Sequence, residues 1–189
     1  MHIIKVPQIV NDIFADSQAV GFTMASDPLT CTLLRSLAAS KPGGQFLELG
    51  SGTGLSTAWI LDGMDKTAKL TTVDNDPALL SILHRHLGND DRLEVICADG
   101  DEFLQQTQKQ SFDFIFADTW SGKYRLLDEA LSMVKPGGFY VIDDMLPQAN
   151  WPEGHANKVE QLLQKLKSLQ DWHLTQLNWA SGVIVAVRG

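Results

Sequence analysis

Short apolar runs alternate with amphipathic stretches along most of the chain. An amphipathic run opens at Asp27-Pro28, a helix cap followed by proline at the first helical position, and continues through Leu29, Leu33, Leu34 and Leu37. The apolar run Gln45–Leu49 predicts a first strand, followed by a helix over about 55–64. Leu70–Asp74 predicts the second strand, and Asp76-Pro77 caps a helix that runs to about Leu87. Leu93–Cys97 and Phe112–Ala117 predict strands three and four, with a helix near 100–107 between them. Leu126, Leu127, Ala130, Leu131 and Val134 give residues 123–134 a helical period, and Phe139–Ile142 predicts the fifth strand. Val159, Leu162, Leu163, Leu166 and Leu169 fall on one helical stripe. Trp172–Leu177 and Val183–Val187 are separated only by Asn178–Gly182, too short a link for a crossover helix, so they must form an antiparallel hairpin.

Strand–helix alternation of this kind predicts an α/β fold. It would be a doubly wound, seven-stranded sheet, mostly parallel, with an antiparallel C-terminal hairpin and one reversed strand near the edge. No repeat or linker interrupts it, so residues 1–189 are expected to form a single domain, with 1–25 as a cap over the acceptor and 26–189 as the cofactor-binding core. Ligands of such sheets bind at the carboxyl ends of the strands, near the point where the winding reverses. Attention therefore falls on residues 48–54, 74–76, 97–100, 118–124 and 142–155.

Charge narrows the partners. Fifteen Lys and Arg against 23 Asp and Glu give a net −8, and no basic run exists to release counterions, so nucleic acid and anionic membranes are not expected partners. No apolar stretch has the length of a membrane span, and the N-terminus lacks a secretory pattern, which places the expected protein in the cytoplasm. Cys31 and Cys97 lie in apolar surroundings without metal-site spacing and are expected to be small buried residues. A homodimer is left open.

Glu48-Leu-Gly-Ser-Gly-Thr-Gly54 lies between the first strand and a helix, where its glycines allow positive φ and close approach of a ligand to the backbone. A dinucleotide fingerprint requires glycine at the sixth position from Gly50, which is Leu55 here, and no Gly-Lys-Ser/Thr follows for a phosphate loop. S-adenosylmethionine carries no phosphates, and Glu48 suits its need for an acid near the loop. Asp74, 20 residues past Gly54, stands where an acid chelates ribose hydroxyls in either cofactor class. Asp76 is the expected helix cap. Asp99, in Ala98-Asp99-Gly100, could accept from an adenine amino group or cap the next helix.

These residues resemble class I S-adenosylmethionine-dependent methyltransferases, and among them the catechol and caffeoyl-CoA type O-methyltransferases. The resemblance runs from Met24 to the C-terminus. It rests on Glu48–Thr57, Asp74, Asp99, the segment Phe116-Ala-Asp-Thr-Trp-Ser-Gly-Lys-Tyr124, and Lys135-Pro-Gly-Gly138 leading to Val141-Ile-Asp-Asp144. It implies a Rossmann-like fold in which Glu48, Gly50, Ser51, Gly52 and Gly54 floor the methionine part and Ser56 contacts its carboxylate. Asp74 and Asn75 would take the ribose, Asp99 and Gly100 the adenine with Trp120 packed on it, and Met24 would lie near the sulfur. Asp118 would also contact the cofactor. It further implies that Asp118, Asp143 and Asp144 hold Mg²⁺ or another divalent cation. Two departures stand out: the pair after the fifth strand is Asp-Asp rather than Asp-Asn, and Ser121 replaces the family's catalytic lysine, with Lys123 two residues later able to reach in.

Methyl transfer from a sulfonium asks mainly for alignment and a deprotonated acceptor. A phenol with a pKa of about 10 is mostly neutral at pH 7, so the proton must be taken by a carboxylate such as Asp143 or Asp144, or the hydroxyl acidified by a cation. Asp118, Lys123 and Asp143 are the expected catalytic residues. His84 and His86 point to different helix faces and cannot chelate together. His155 and Trp151 are candidates for the acceptor pocket, whereas Trp59, Trp172 and Trp179 are expected in core or hairpin packing. Lys158, Lys165 and Lys167 belong to a polar helix face. The favoured expectation is methyl transfer to a hydroxyl of a small, aromatic acceptor. A nicotinamide-dependent oxidoreductase and a non-catalytic nucleoside-binding module stay as alternatives.

Overall fold

The computed structural model describes residues 4–148 and 151–189. In chain order the elements are α1 (Gln8–Ala19), α2 (Pro28–Ala39), β1 (Gln45–Leu49), α3 (Leu55–Gly63), β2 (Lys69–Asp74), α4 (Pro77–Leu87), β3 (Leu93–Cys97), α5 (Gly100–Gln106), β4 (Phe112–Ala117), α6 (Leu127–Met133), β5 (Val134–Ile142), α7 (His155–Lys167), β6 (Trp172–Leu177) and β7 (Val183–Arg188). The strands form one seven-stranded sheet in the order β3-β2-β1-β4-β5-β7-β6. All neighbours are parallel except β7, which runs antiparallel to both β5 and β6. The winding reverses between β1 and β4, which pair from Phe46↔Phe114 to Leu49↔Ala117. The predicted seven-stranded, mostly parallel sheet with an antiparallel C-terminal hairpin is the one observed.

Period-two alternation divides the core. Phe46, Leu70, Phe114, Phe116 and Val141 face α1 to α4, where Trp59 is 2% exposed. Leu47, Leu49, Ile115, Tyr140 and Ile142 face α5 to α7. Burial of each such side chain stabilises the fold by about 1.5–3 kcal/mol, so the strand ends are held by a rigid base. Asp27, Asp76 and Asp99 cap α2, α4 and α5 by accepting backbone N–H groups, as their positions before the helices require.

Several boundaries differ from expectation. Helix α6 is shorter than 123–134 because the chain curls first: the N–H groups of Lys123, Tyr124 and Arg125 all reach the Trp120 carbonyl, at 3.2, 2.9 and 3.0 Å. Leu126 is left-handed, with φ 51°. Strand β5 begins at Val134 rather than Phe139, and its register with β4 jumps from Phe112↔Val134 to Phe114↔Phe139, so Lys135-Pro-Gly-Gly138 forms a bulge. Helix α7 starts at His155, ahead of the apolar stripe. Cys31 is buried, but Cys97 is exposed, because β3 is the edge strand.

The first 25 residues, expected to form a cap, contain α1, packed against α3 and α4. Ile13 is fully buried there, and the Ser17 hydroxyl lies 2.7 Å from Thr53 Oγ1 in the glycine loop. Asp16 accepts from Arg85 at 2.7 Å and lies 2.8 Å from His86 Nε2, which ties α1 to α4 and gives His86 a structural partner.

Candidate active site

The glycine loop is shaped by close contacts. Gly50 has φ +90°, and a Cβ there would stand 2.8 Å from the Asp118 carbonyl oxygen; Gly52 has φ +51°, and its Cβ would stand 2.7 Å from Phe22 Cζ. Gly50 admits no side chain against that backbone, and at Gly52 a side chain would be strained by the positive φ and would have to displace the Phe22 ring. Glu48 is fully buried beneath the loop, and its carboxylate accepts from Ser56, Thr57 and Thr72 hydroxyls at 2.6, 2.5 and 2.7 Å. Burial pushes the Glu48 carboxyl up, against the pull of these three hydroxyls. Ser56, expected on a ligand carboxylate, therefore has its hydroxyl hydrogen on Glu48, and both residues support the loop from below. Ser51 Oγ is buried with no partner among the described residues, a polar atom that a ligand could satisfy.

Asp74, at the end of β2, accepts from the N–H groups of Gly52 at 2.8 Å and Asp76 at 3.0 Å. Asp76 caps α4 separately. Asp99 accepts from Asp101 N–H at 2.8 Å, so it caps α5, and it also lines the cleft. The cleft opens to solvent and is walled by Gly50, Asp74, Asn75, Asp99, Gly100 and Ser121. Gly100 closes it tightly, since a Cβ there would stand 2.6 Å from Ser121 Cβ. Arg125 reaches the same cleft, bonded to Ser121 Oγ at 3.1 Å and to Asp101 at 2.6 Å. Trp120, expected against a purine, does not line this cleft. The curl after β4 turns its indole toward Tyr124 and His155, with ring centroids 5.9 and 6.1 Å away, and Lys158 Nζ lies 4.9 Å from its ring.

The carboxyl ends of β4 and β5 place Asp118, Asp143 and Asp144 near one another. Ser26 donates to Asp118 at 2.7 Å, which fixes the segment carrying Met24, itself 72% exposed. Asp143 is buried, and its Oδ1 accepts from Ser181, from Thr30 at 3.5 Å and from Asp144 N–H at 2.8 Å. Lys123 is only 4% exposed, and its Nζ donates to the Asp143 carbonyl oxygen at 2.6 Å. Burial and the neighbouring aspartates lift the Asp118 carboxyl well above the carboxylate range, and burial above all lifts that of Asp143 to about 6. Burial lowers the Lys123 ammonium, while the three aspartates oppose that shift.

The residues do not fit a divalent cation as the resemblance implied. Among the described residues no three His, Cys, Asp or Glu side chains are grouped to hold a metal. The physical reason is local: Asp143 turns one oxygen to Ser181, Thr30 and its neighbour's N–H, and the buried Lys123 Nζ bonds the Asp143 carbonyl oxygen beside them.

Residues to which the sequence gives little or no weight complete the site. His155 is buried, with Nε2 3.1 Å from the Tyr124 hydroxyl and Nδ1 unpartnered among the described residues. Trp151 lies 4.5 Å from the His155 ring, so Trp120, Tyr124, Trp151 and His155 form an aromatic group. Burial lowers the His155 pKa, with Lys123 adding to the effect, which favours the neutral ring. Ser181, Thr30 and Arg125 carry no local signal. Ser181 comes from the β6–β7 turn, pressed on the chain after β5 by backbone bonds from Met145 to Gly182 (3.0 Å) and Leu146 to Ser181 (2.9 Å). Trp179, expected in packing, is 38% exposed on that turn.

A profile of the methyltransferase domain family matches residues 47–145, just over half the chain. The chain belongs to this methyltransferase family. A relative from Mycobacterium sp. (strain JLS), named "Putative O-methyltransferase", is 28% identical over 124 residues, covering 62% of this chain and 56% of the relative. The chain thus spans a little over half the length of the curated relatives it matches. An O-methyltransferase from Bacillus cereus in complex with SAH superposes with a TM-score of 0.86 at 20% identity, covering 99% of this chain and 93% of that one. The O-methyltransferase TomG from Streptomyces achromogenes, in complex with SAM, gives 0.81 at 18% identity, covering 98% and 92%. The methyltransferase fold therefore extends beyond the matched segment to nearly the whole chain.

Proposed function

We propose that this methyltransferase binds S-adenosylmethionine and moves its methyl group to a hydroxyl of a small, aromatic acceptor. The observation that carries the proposal is the cleft at the β1/β4 switch point, glycine-floored and acid-walled, with an orphaned Ser51 hydroxyl in its loop. Gly50, Ser51, Gly52 and Gly54 would hold the methionine part over Glu48 and Ser56. Asp74 and Asn75 would take the ribose, Asp99 and Gly100 the purine. The cofactors with which the two solved relatives were crystallised support this assignment.

In the transfer, the acceptor oxygen forms a bond to the methyl carbon as the carbon–sulfur bond breaks. The sulfonium leaves as a neutral thioether, and the hydroxyl proton passes to a carboxylate. Asp144 suits the role of base, because it is partly exposed and its side chain accepts no hydrogen bond among the described residues. Asp143 is held by its hydroxyl partners and would orient the strand end, with Lys123 beside it. Trp120, Tyr124, Trp151 and His155 would wall an aromatic acceptor. The absent sixth-position glycine and the family membership leave the oxidoreductase alternative unsupported.

Calorimetry with S-adenosylhomocysteine, followed by product analysis on phenol, catechol and carboxylate acceptors, tests the proposal. Binding together with O-methylated product is expected. No binding would overturn it, and binding without product on any acceptor would favour a nucleoside-binding module.

A further inference from the structure

Lys123 occupies an unusual place. It lies in the curl between β4 and α6, where Gly122 has φ +78° and the N–H groups of residues 123–125 converge on the Trp120 carbonyl. That curl turns the lysine inward rather than onto a helix face, so a residue type that is seldom fully buried is 4% exposed. Among the described residues its Nζ makes one hydrogen bond, to the Asp143 carbonyl oxygen at 2.6 Å, and lies 5.1 Å from the Tyr124 ring centroid. The surrounding charges are Asp118, Asp143 and Asp144, whose fields all act on it. A buried ammonium persists in a fold only with compensating charge or hydrogen bonds.

Three carboxylates at two adjacent strand ends would otherwise be a strongly anionic pocket, and such pockets attract hard divalent cations. Here Thr30 from α2, Ser181 from the β6–β7 turn and the Asp144 N–H all converge on one oxygen of Asp143. These contacts turn that carboxylate toward protein donors. We infer that the Lys123 ammonium is a built-in cation that takes the place of a divalent metal between the ends of β4 and β5, anchored to the main chain at Asp143 rather than paired with one carboxylate, and that it excludes a metal ion. The inference rests on the methyltransferase reading of the site. Lys123 is thereby a positioning residue: it acts on the carboxylates rather than on the methyl group. The same curl sets Ser121 against Gly100, so close that a Cβ on Gly100 would stand 2.6 Å from Ser121 Cβ.

The test uses the full chain in EDTA-treated buffer and Mn²⁺ as the probe, with free Mn²⁺ read by electron paramagnetic resonance. Wild type is expected to bind no stoichiometric Mn²⁺, whereas Lys123→Ala gains affinity by about tenfold or more, and Asp144→Asn added to it removes the gain. Lys123→Met, which keeps the stem's apolar volume, provides a second variant if the alanine form does not fold. The expected methyl transfer by wild type is unchanged by EDTA. Stoichiometric Mn²⁺ binding by wild type that Asp144→Asn abolishes would overturn the inference, as would folded Lys123→Ala or Lys123→Met with no gain. Should neither variant fold, the wild-type titration decides alone. S-adenosylhomocysteine binding in EDTA reads the cofactor assignment separately, so failure of that reading is distinguishable from failure of this one.

Discussion

Glu48 carries its carboxylate where water does not reach, and three hydroxyls from α3 and β2 take the place of solvent. Because burial raises its folded pKa above the ordinary value of 4.5, the folded chain binds the proton more tightly than the unfolded chain. Its contribution to stability is therefore fully present below 4.5 and is lost as pH rises through the higher folded value. Urea unfolding as a function of pH should lose this slope in Glu48→Gln. Glu48→Ala should cost about 3 kcal/mol or more, since three buried hydroxyls lose their acceptor. At Gly52 the constraint is steric. Gly52→Ala should weaken S-adenosylhomocysteine binding at least tenfold by calorimetry, and Phe22→Ala in the same chain should recover part of the loss by removing the ring that a Cβ would strike. The glycine spacing makes the loop legible in sequence, because the constraint is on the backbone. The hydroxyl cradle of Glu48 is not legible, because Thr72 lies 24 residues away and meets it only across the sheet.

Helix α1 shows where element-level reading stops. The strands are recoverable because each is a short apolar run between glycine, proline or aspartate, and the helices α2 and α4 because caps and period agree. Helix α1 buries only Val10, Ile13 and Ser17, and a stripe with a serine in it gives little periodic signal. Its attachment is nonetheless specific: Ile13 is fully buried, and Ser17 meets Thr53 of the glycine loop. Ile13→Ala should lower stability by about 2–5 kcal/mol in urea unfolding. Ser17→Ala should cost about 1 kcal/mol in the same assay and also weaken cofactor binding, because it frees the loop at Thr53. Equal cofactor affinity in Ser17→Ala and wild type would argue that α1 supports the fold alone. The curl at Trp120–Arg125 escapes the helical pattern for a related reason. Leu126, Leu127, Ala130 and Leu131 carry a helical period that says nothing of the positive φ at Leu126, and that turn is what buries Lys123.

The molecule carries a net charge of −8, and several of its aspartates stand at the carboxyl ends of the strands. Asp74 and Asp99 line the cleft proposed for the nucleoside, and Asp118, Asp143 and Asp144 stand at the next two strand ends beside the buried Lys123. A cleft of this sign favours a ligand that arrives with a net positive charge. S-adenosylmethionine carries one more positive charge than its demethylated product, because the sulfonium becomes a neutral thioether on transfer. The acidic edge should therefore prefer reactant over product and assist product release. Salt tests the long-range part of this preference: the Debye length falls from about 10 Å at 0.1 M to about 3 Å at 1 M ionic strength. Over that range the affinity for S-adenosylmethionine should fall severalfold while that for S-adenosylhomocysteine changes little, both measured by calorimetry. A parallel response of the two ligands would place the discrimination in short contacts near the sulfur rather than in the field of the strand ends. Because buried charges are screened least, a small residual preference at high salt is the expected signature of Asp143 itself.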